Sequence, residues 1–223
     1  MKKRRVLIAA IAVCLIAILA CGSLAYFTYT GAKVTNKFYT YSTDDPNPPV
    51  NPEDLFSIAI YETAADGSKS YNGLTYEEVL PGSVLSKNPT VENTGKYDAW
   101  VRLRVTITNA SAWTVACRDI GLTNLGEIFL NFNDDADAGW HRADGPIVDT
   151  TKNTLTYVYY SNKPLKAGTE SVLFNGMKMP EQLTVQHMIA LSQFQIIIEG
   201  DAIQSDNNGS TAAAGFNNWP TNP

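Results

Sequence analysis

Cysteine, histidine and basic charge are all scarce in this chain. Its 223 residues hold three cysteines and two histidines, and only 17% are charged. Cys14 and Cys21 lie in or beside the first apolar run, so a body folded from the rest has Cys117 alone and no internal disulfide. His141 and His187 are far apart. No His-Glu-x-x-His, Cys-x-x-Cys or Gly-x-Ser-x-Gly occurs, which removes the local signatures of zinc proteases, thiol redox sites and serine hydrolases. A Ser–His–Asp triad has no local support either. The 17 basic residues face 22 acidic ones, for a net charge of -5. Four of the basic residues and none of the acids precede residue 26, so residues 26–223 carry -9. An acidic chain of this kind is a poor partner for nucleic acid or anionic membranes.

What is present begins at the N-terminus. Lys2, Lys3, Arg4 and Arg5 precede an uncharged apolar stretch, residues 6–20, followed by the small-x-small site Ser23-Leu24-Ala25. That pattern predicts a secretory signal peptide over 1–25, cut between Ala25 and Tyr26. The apolar stretch is shorter than the roughly 20 residues of a spanning helix. Ile18-Leu19-Ala20-Cys21 offers a competing lipobox-like pattern with Cys21 lipidated; cleavage after Ala25 is the preferred expectation. The expected location is secreted, in an extracellular matrix or on the cell surface.

Residues 26–41, "YFTYTGAKVTNKFYTY", read as an extended arm rich in Thr, Tyr, Phe and Val. Residues 42–54, "STDDPNPPVNPED", carry Pro46, Pro48, Pro49 and Pro52. They read as a semi-rigid spacer of roughly 40 Å at about 3.1 Å per residue, with a surface loop between two strands as the alternative. Residues 55–205 read as the body and 206–223 as a polar tail whose Phe216 and Trp219 dock. In the body, "LFSIAIYE", "WVRLRVTIT", "LTYVYY" and "QFQIIIEG" read as strands. Val101, Leu103, Val105 and Ile107 fall on one face of the second, with Arg102, Arg104, Thr106 and Thr108 on the other. Ile196, Ile197 and Ile198 in a row predict a central strand covered on both faces. Asn72-Gly73 and Asn175-Gly176 are hairpin signals, and Pro81-Gly82 suits a type II turn. "ACRDIGLTNLG" predicts a short helix, and "PEQLTVQHMIALS" is ambiguous. The expected fold is mainly β, an antiparallel β-sandwich (jelly-roll-like) with an extended N-terminal arm and few short helices.

Chemistry-bearing patterns are sparse. Asn133, Asp135 and Asp137 alternate like the first ligands of a calcium loop, yet Ala138 and Asp144 stand where an EF-hand needs Gly and Glu. They are weak metal candidates beside the commoner reading, a solvated acidic loop. Arg102 and Arg104 read as a surface ion ladder, and Asp201 as a turn cap. Trp100, Trp113 and Trp140 read as buried rather than sugar-stacking. Asn109-Ala-Ser111 and Asn208-Gly-Ser210 match the glycosylation pattern. No catalytic residue, cofactor or enzyme activity is expected.

Several stretches together resemble one family. "SLAYFTYTGAKVTNKF" is similar to the N-terminal signature of proteins processed by the SipW-type signal peptidase. "VLPGSVLSKNPTVENTGKYDAWVRLRV", "YVYYSNKPLKAGTESVLF" and "IEGDAIQSDN" resemble, in order, three further segments of the TasA and camelysin family of Gram-positive bacteria. Two features depart from it: Tyr29 replaces the usual acidic residue, and the Pro-rich spacer interrupts the run into the body. The resemblance implies a jelly-roll body outside the cell and biofilm-matrix fibres in which the N-terminal strand of one subunit completes the sheet of the next. The donated strand carries over to Tyr26, Phe27, Thr28, Tyr29 and Thr30, and onward to Val34 and Phe38. The implied partners are further copies of the chain, a SipW-type signal peptidase, and other matrix proteins or polysaccharide, with no nucleic acid. The alternatives are a monomeric cell-surface adhesion or binding module and, with less support, a camelysin-like secreted metalloprotease. The residues support assembly for their own reason. An aromatic extended arm cannot bury itself alone, but it gains backbone hydrogen bonds and side-chain pockets on an exposed sheet edge. Phe27 and Tyr29 share one face and Val34 and Phe38 the other, so a bulge near Gly31 is expected.

Overall fold

The computed structural model describes residues 57–206, Trp219 and the backbone of Thr28–Tyr29. Antiparallel strands dominate it. In chain order they are β1 (Thr28–Tyr29), β2 (Ile58–Thr63), β3 (Lys69–Ser70), β4 (Val84–Leu85), β5 (Thr90–Asn93) and β6 (Ala99–Thr108). Helix α1 (Ala110–Ile120) and a 3-10 turn (Leu125–Ile128) follow, then β7 (Trp140–Arg142), β8 (Ile147–Asp149) and β9 (Thr154–Ser161). Last come β10 (Glu170–Val172), β11 (Met177–Lys178), α2 (Val185–Ala190) and β12 (Ile196–Gln204). The largest sheet runs β1-β12-β6-β9-β7, with β8 beside β7 on the same edge of β9. A second sheet runs β10-β5-β2-β3, and β11 pairs with β4.

The alternation read in "WVRLRVTIT" is the spine of the larger sheet. Val101, Leu103, Val105 and Ile107 are at most 1% exposed and enter the main core. The opposite face carries Arg102, Arg104 and Thr106, whose hydroxyl meets that of Thr156 at 2.9 Å. Full burial of each aliphatic side chain contributes about 1.5–3 kcal/mol. Ile58 and Ile60 of β2 pack on this core from the second sheet. They arrive at Gly200 of β12, where an added Cβ would stand 2.8 Å from Ile60 Cδ1 and 3.0 Å from both Ile58 Cδ1 and Leu103 Cδ2. A residue without a side chain is therefore what lets β2 lie over β12.

Helix α1 lies earlier than its sequence signal: of "ACRDIGLTNLG" only Ala116–Ile120 belongs to it. It starts at Asn109, whose φ is 60° and whose Nδ2 donates to the Ala190 carbonyl. It ends at Gly121 (φ 73°), whose N–H and that of Leu122 close back on the Arg118 and Cys117 carbonyls. Its buried face is Trp113 and Ala116, with Phe194 edge-on to the Trp113 ring at 5.1 Å. Trp100 and Trp140 are buried as well. The ambiguous "PEQLTVQHMIALS" segment holds only the six-residue α2. No helix among the described residues is long and apolar enough to cross a membrane.

Four expectations fail. Asn72-Gly73 does not close a hairpin; β3 returns along β2 through Asp66-Gly67, where the Asp66 carboxylate accepts from the Ser68 N–H and hydroxyl. Asn175-Gly176 does not either, because the strands around it part company: β10 joins β5 and β11 joins β4. Pro81-Gly82, by contrast, is the expected turn, with Gly82 at φ 81° and the Ser83 N–H on the Leu80 carbonyl. Ile196–Ile198 is not covered on both faces, since Ile197 is 43% exposed. Asp201 caps no turn; it sits within β12 and is 1% exposed.

Candidate strand-exchange edge

One edge of the larger sheet is formed by β12 and the two residues of β1. On its inner side β12 pairs with β6 along its whole length, from Ile196 opposite Ile107 to Gln204 opposite Ala99. On its outer side, among the described residues, only β1 pairs with it, placing Thr28 opposite Ile203 and Tyr29 opposite Ala202. Burial follows that difference. Asp201, Ala202 and Ile203 are buried, whereas Ile197 and Glu199 are exposed. Among the described residues nothing pairs with the outer side of Ile196–Gly200, whose backbone donors and acceptors are of the kind that an added antiparallel strand uses.

The covered end of β12 is fixed by charge and by aromatic packing. Arg102 Nε and Nη2 donate to Asp201 Oδ2 at 2.9 and 2.5 Å, and Arg104 Nη1 donates to the same oxygen at 2.6 Å. Arg104 also lies 3.7 Å from Glu199. Cross-strand register explains the convergence, because Asp201 is opposite Arg102 and Glu199 opposite Arg104. A carboxylate this deep needs such partners to offset its lost hydration. The expected ladder is real, but its centre is buried rather than solvated. Beside it a second, smaller core of Trp100, Val158, Tyr160, Ile203 and Trp219 lies apart from the main one. Trp219 is 6% exposed and its ring lies 5.1 Å from the Arg102 guanidinium. The tail therefore docks at Trp219 beside the residue that opposes Thr28; Phe216 lies outside the described residues.

Comparison with protein-family models, with curated proteins and with solved structures returns no match.

The remaining expected site residues separate into two groups. The Ala25–Tyr26 junction, Phe27, Thr30, Val34, Phe38 and the 42–54 spacer lie outside the described residues. Asn133, Asp135 and Asp137 do share a loop, where each side chain is engaged with the protein itself. Asp135 Oδ1 accepts from the Asp137 and Ala138 N–H groups at 2.8 and 2.7 Å, which holds its carboxyl below the usual range. Asn133 Nδ2 donates to the Ala138 and Val172 carbonyls, and Asp137 pairs with Lys163. Among the described residues no three His, Cys, Asp or Glu side chains gather as a metal site. His141 meets Asn162 and stacks on Tyr160, while His187 closes the capping box of α2 and faces Asp119 at 3.4 Å. The two imidazoles thus serve different elements.

Sequence reasoning missed Asp201. Its partners precede it by about a hundred positions, and no local pattern announces a buried carboxylate. The signal that existed was two arginines on one face of β6, which require a counter-charge wherever that face is covered.

Proposed function

We propose that this chain is a secreted structural protein that assembles into extracellular or biofilm-matrix fibres by donating its N-terminal strand to a neighbouring subunit. On this reading its body is a jelly-roll-like β-sandwich, the two larger sheets meeting where β2 crosses Gly200. The observation that carries the reading is the pairing of Thr28–Tyr29 with an edge of β12 that has no other partner strand among the described residues. An arm segment that fits this edge within one chain fits the same edge of another copy equally well. The spacer's composition gives it a reach of roughly 40 Å, and the export signal keeps the arm masked until cleavage after Ala25. The TasA and camelysin resemblance supports the same conclusion.

The second reading, a monomeric adhesion or binding module, is favoured by one observation: the pairing seen joins residues of one chain. Electron microscopy of residues 26–223 and 42–223 at matched concentration distinguishes the two. Filaments from the longer protein alone support donation. Monomers from both support the module.

A further inference from the structure

A cleft of about 510 Å³ opens between α1, the segment that leads into the 3-10 turn, the β7–β8 connection and β9. Its walls are Trp113, Leu122, Leu155 and Tyr157, and Arg118 and Arg142 also line it. Among the described residues no aspartate or glutamate lines it, although acids outnumber bases in the chain. The two arginines are not equivalent. Arg118 is committed to Asp119, donating from Nε and Nη2 at 3.0 and 2.9 Å. Arg142 forms no ion pair among the described residues. Its guanidinium lies over the Tyr157 ring, 5.4 Å from the centroid.

That position is built rather than incidental. β7 pairs with β9 so that Arg142 stands opposite Tyr159. Gly126 leaves room for the guanidinium, because an added Cβ there would collide with Arg142 Nη1. Tyr157 in turn is held at its hydroxyl, which accepts from the Gly126 N–H at 3.0 Å and donates to Asn124 Oδ1 at 3.2 Å. The result is a guanidinium held by stacking on Tyr157 and by a hydrogen bond with Tyr159, at a cleft of mixed polar and apolar lining, and paired with no carboxylate among the described residues.

We propose that this cleft binds a small amphiphilic carboxylate, its aromatic or short acyl body against Trp113, Leu155 and Tyr157 and its carboxylate on Arg142. The volume falls in the range of small-molecule sites. Charge complementarity selects the anion, since a neutral or cationic head leaves Arg142 unpaired and meets Arg118 as well. Cys117 also lines the cleft, and burial pushes its thiol pKa up, so an occupant shields it from alkylation.

The test uses the full chain with octanoate and 4-phenylbutyrate as probes, and octan-1-ol and 4-phenylbutanol as uncharged counterparts. Binding is followed by ligand-observed NMR, and Cys117 alkylation by peptide mapping. Ligands of this size reach dissociation constants of about 1 mM. The acids are expected to bind in that range, to slow Cys117 alkylation, and to weaken about ten-fold in R142Q, the loss of one charge-assisted contact. R118Q is expected to change the affinity less, because Arg118 is already paired. Arg142 is exposed, so R142Q keeps the fold, as circular dichroism will verify. Equal affinity for acids and alcohols, unchanged affinity in R142Q, or no protection of Cys117 at saturating acid overturns the assignment.

Discussion

Lys87→Met is predicted to cost about 3–5 kcal/mol, the range for removing one partner of a buried ion pair. The side chains of Lys87 and Glu62 are 7% and 6% exposed, and Nζ donates to Glu62 Oε1 at 2.5 Å. Among the described residues Glu62 Oε2 has no hydrogen-bond partner, so the ammonium is the main compensation for that carboxylate's lost hydration. Its negative charge is felt nearby: burial, reinforced by Glu62, pushes Tyr76 up to about 12. Without Lys87 the carboxylate must stay charged and unpaired, or take up a proton. With a urea m-value of about 2 kcal/mol/M, the expected fall in midpoint is about 1.5–2.5 M. The double substitution Glu62→Leu with Lys87→Met is expected to recover most of this, because apolar replacement of a buried pair is near neutral or stabilising by about 1–4 kcal/mol. Equilibrium urea unfolding of the single and double variants gives both numbers. A loss below about 1 kcal/mol in Lys87→Met, or a double variant no more stable than the single, would refute the argument from desolvation.

Three further outcomes follow from packing and charge. Gly200→Val drives a side chain into Ile58, Ile60 and Leu103 and is expected to cost about 1–3 kcal/mol by overpacking; calorimetry measures it, and an unchanged Tm would mean that β2 yields freely. Asp135 has its folded pKa depressed chiefly by the Ala138 N–H and then the Asp137 N–H. Its contribution is present above the unfolded aspartate pKa and is lost as pH falls through the lower folded value. Asp135→Asn should therefore flatten the acid limb of a stability-against-pH curve and leave its alkaline limb alone. Trp219→Ala uncovers Trp100 and Tyr160 and is expected to cost up to about 3–5 kcal/mol in urea unfolding; an unchanged midpoint would mean that the tail adds nothing to the body.

The sequence is most legible where one strand's own alternation decides its burial. β6 is the clearest case, because Val101 to Ile107 needed no knowledge of neighbours to be placed inward. Turn chemistry was legible where four consecutive residues close on themselves, and not where it had to imply a ladder between the flanks. Pro81-Gly82 closes on itself, whereas the flanks of Asn175-Gly176 are claimed by different sheets. Asn72-Gly73 lost its hairpin to Asp66-Gly67, an equally good local signal that reaches β2 first. Ile196–Ile198 misled because an apolar run does not by itself require cover on both faces, and Ile197 is left exposed. The Arg102–Arg104–Asp201 cluster and the arginine of the cleft both depend on register between distant strands. The sequence supplied their residues but not their meeting.

Disulfide trapping tests strand donation most directly. Thr28→Cys with Ile203→Cys, and separately Tyr29→Cys with Ala202→Cys, place the two cysteines at opposed register positions. Each pair is introduced into the Cys117→Ser protein processed after Ala25, which is then oxidised under filament-forming conditions. The account predicts a reductant-sensitive ladder of crosslinked multimers on a denaturing gel, absent from either single-cysteine control. Crosslinked monomers alone, at every concentration, would show that the arm stays on its own sheet and would contradict it.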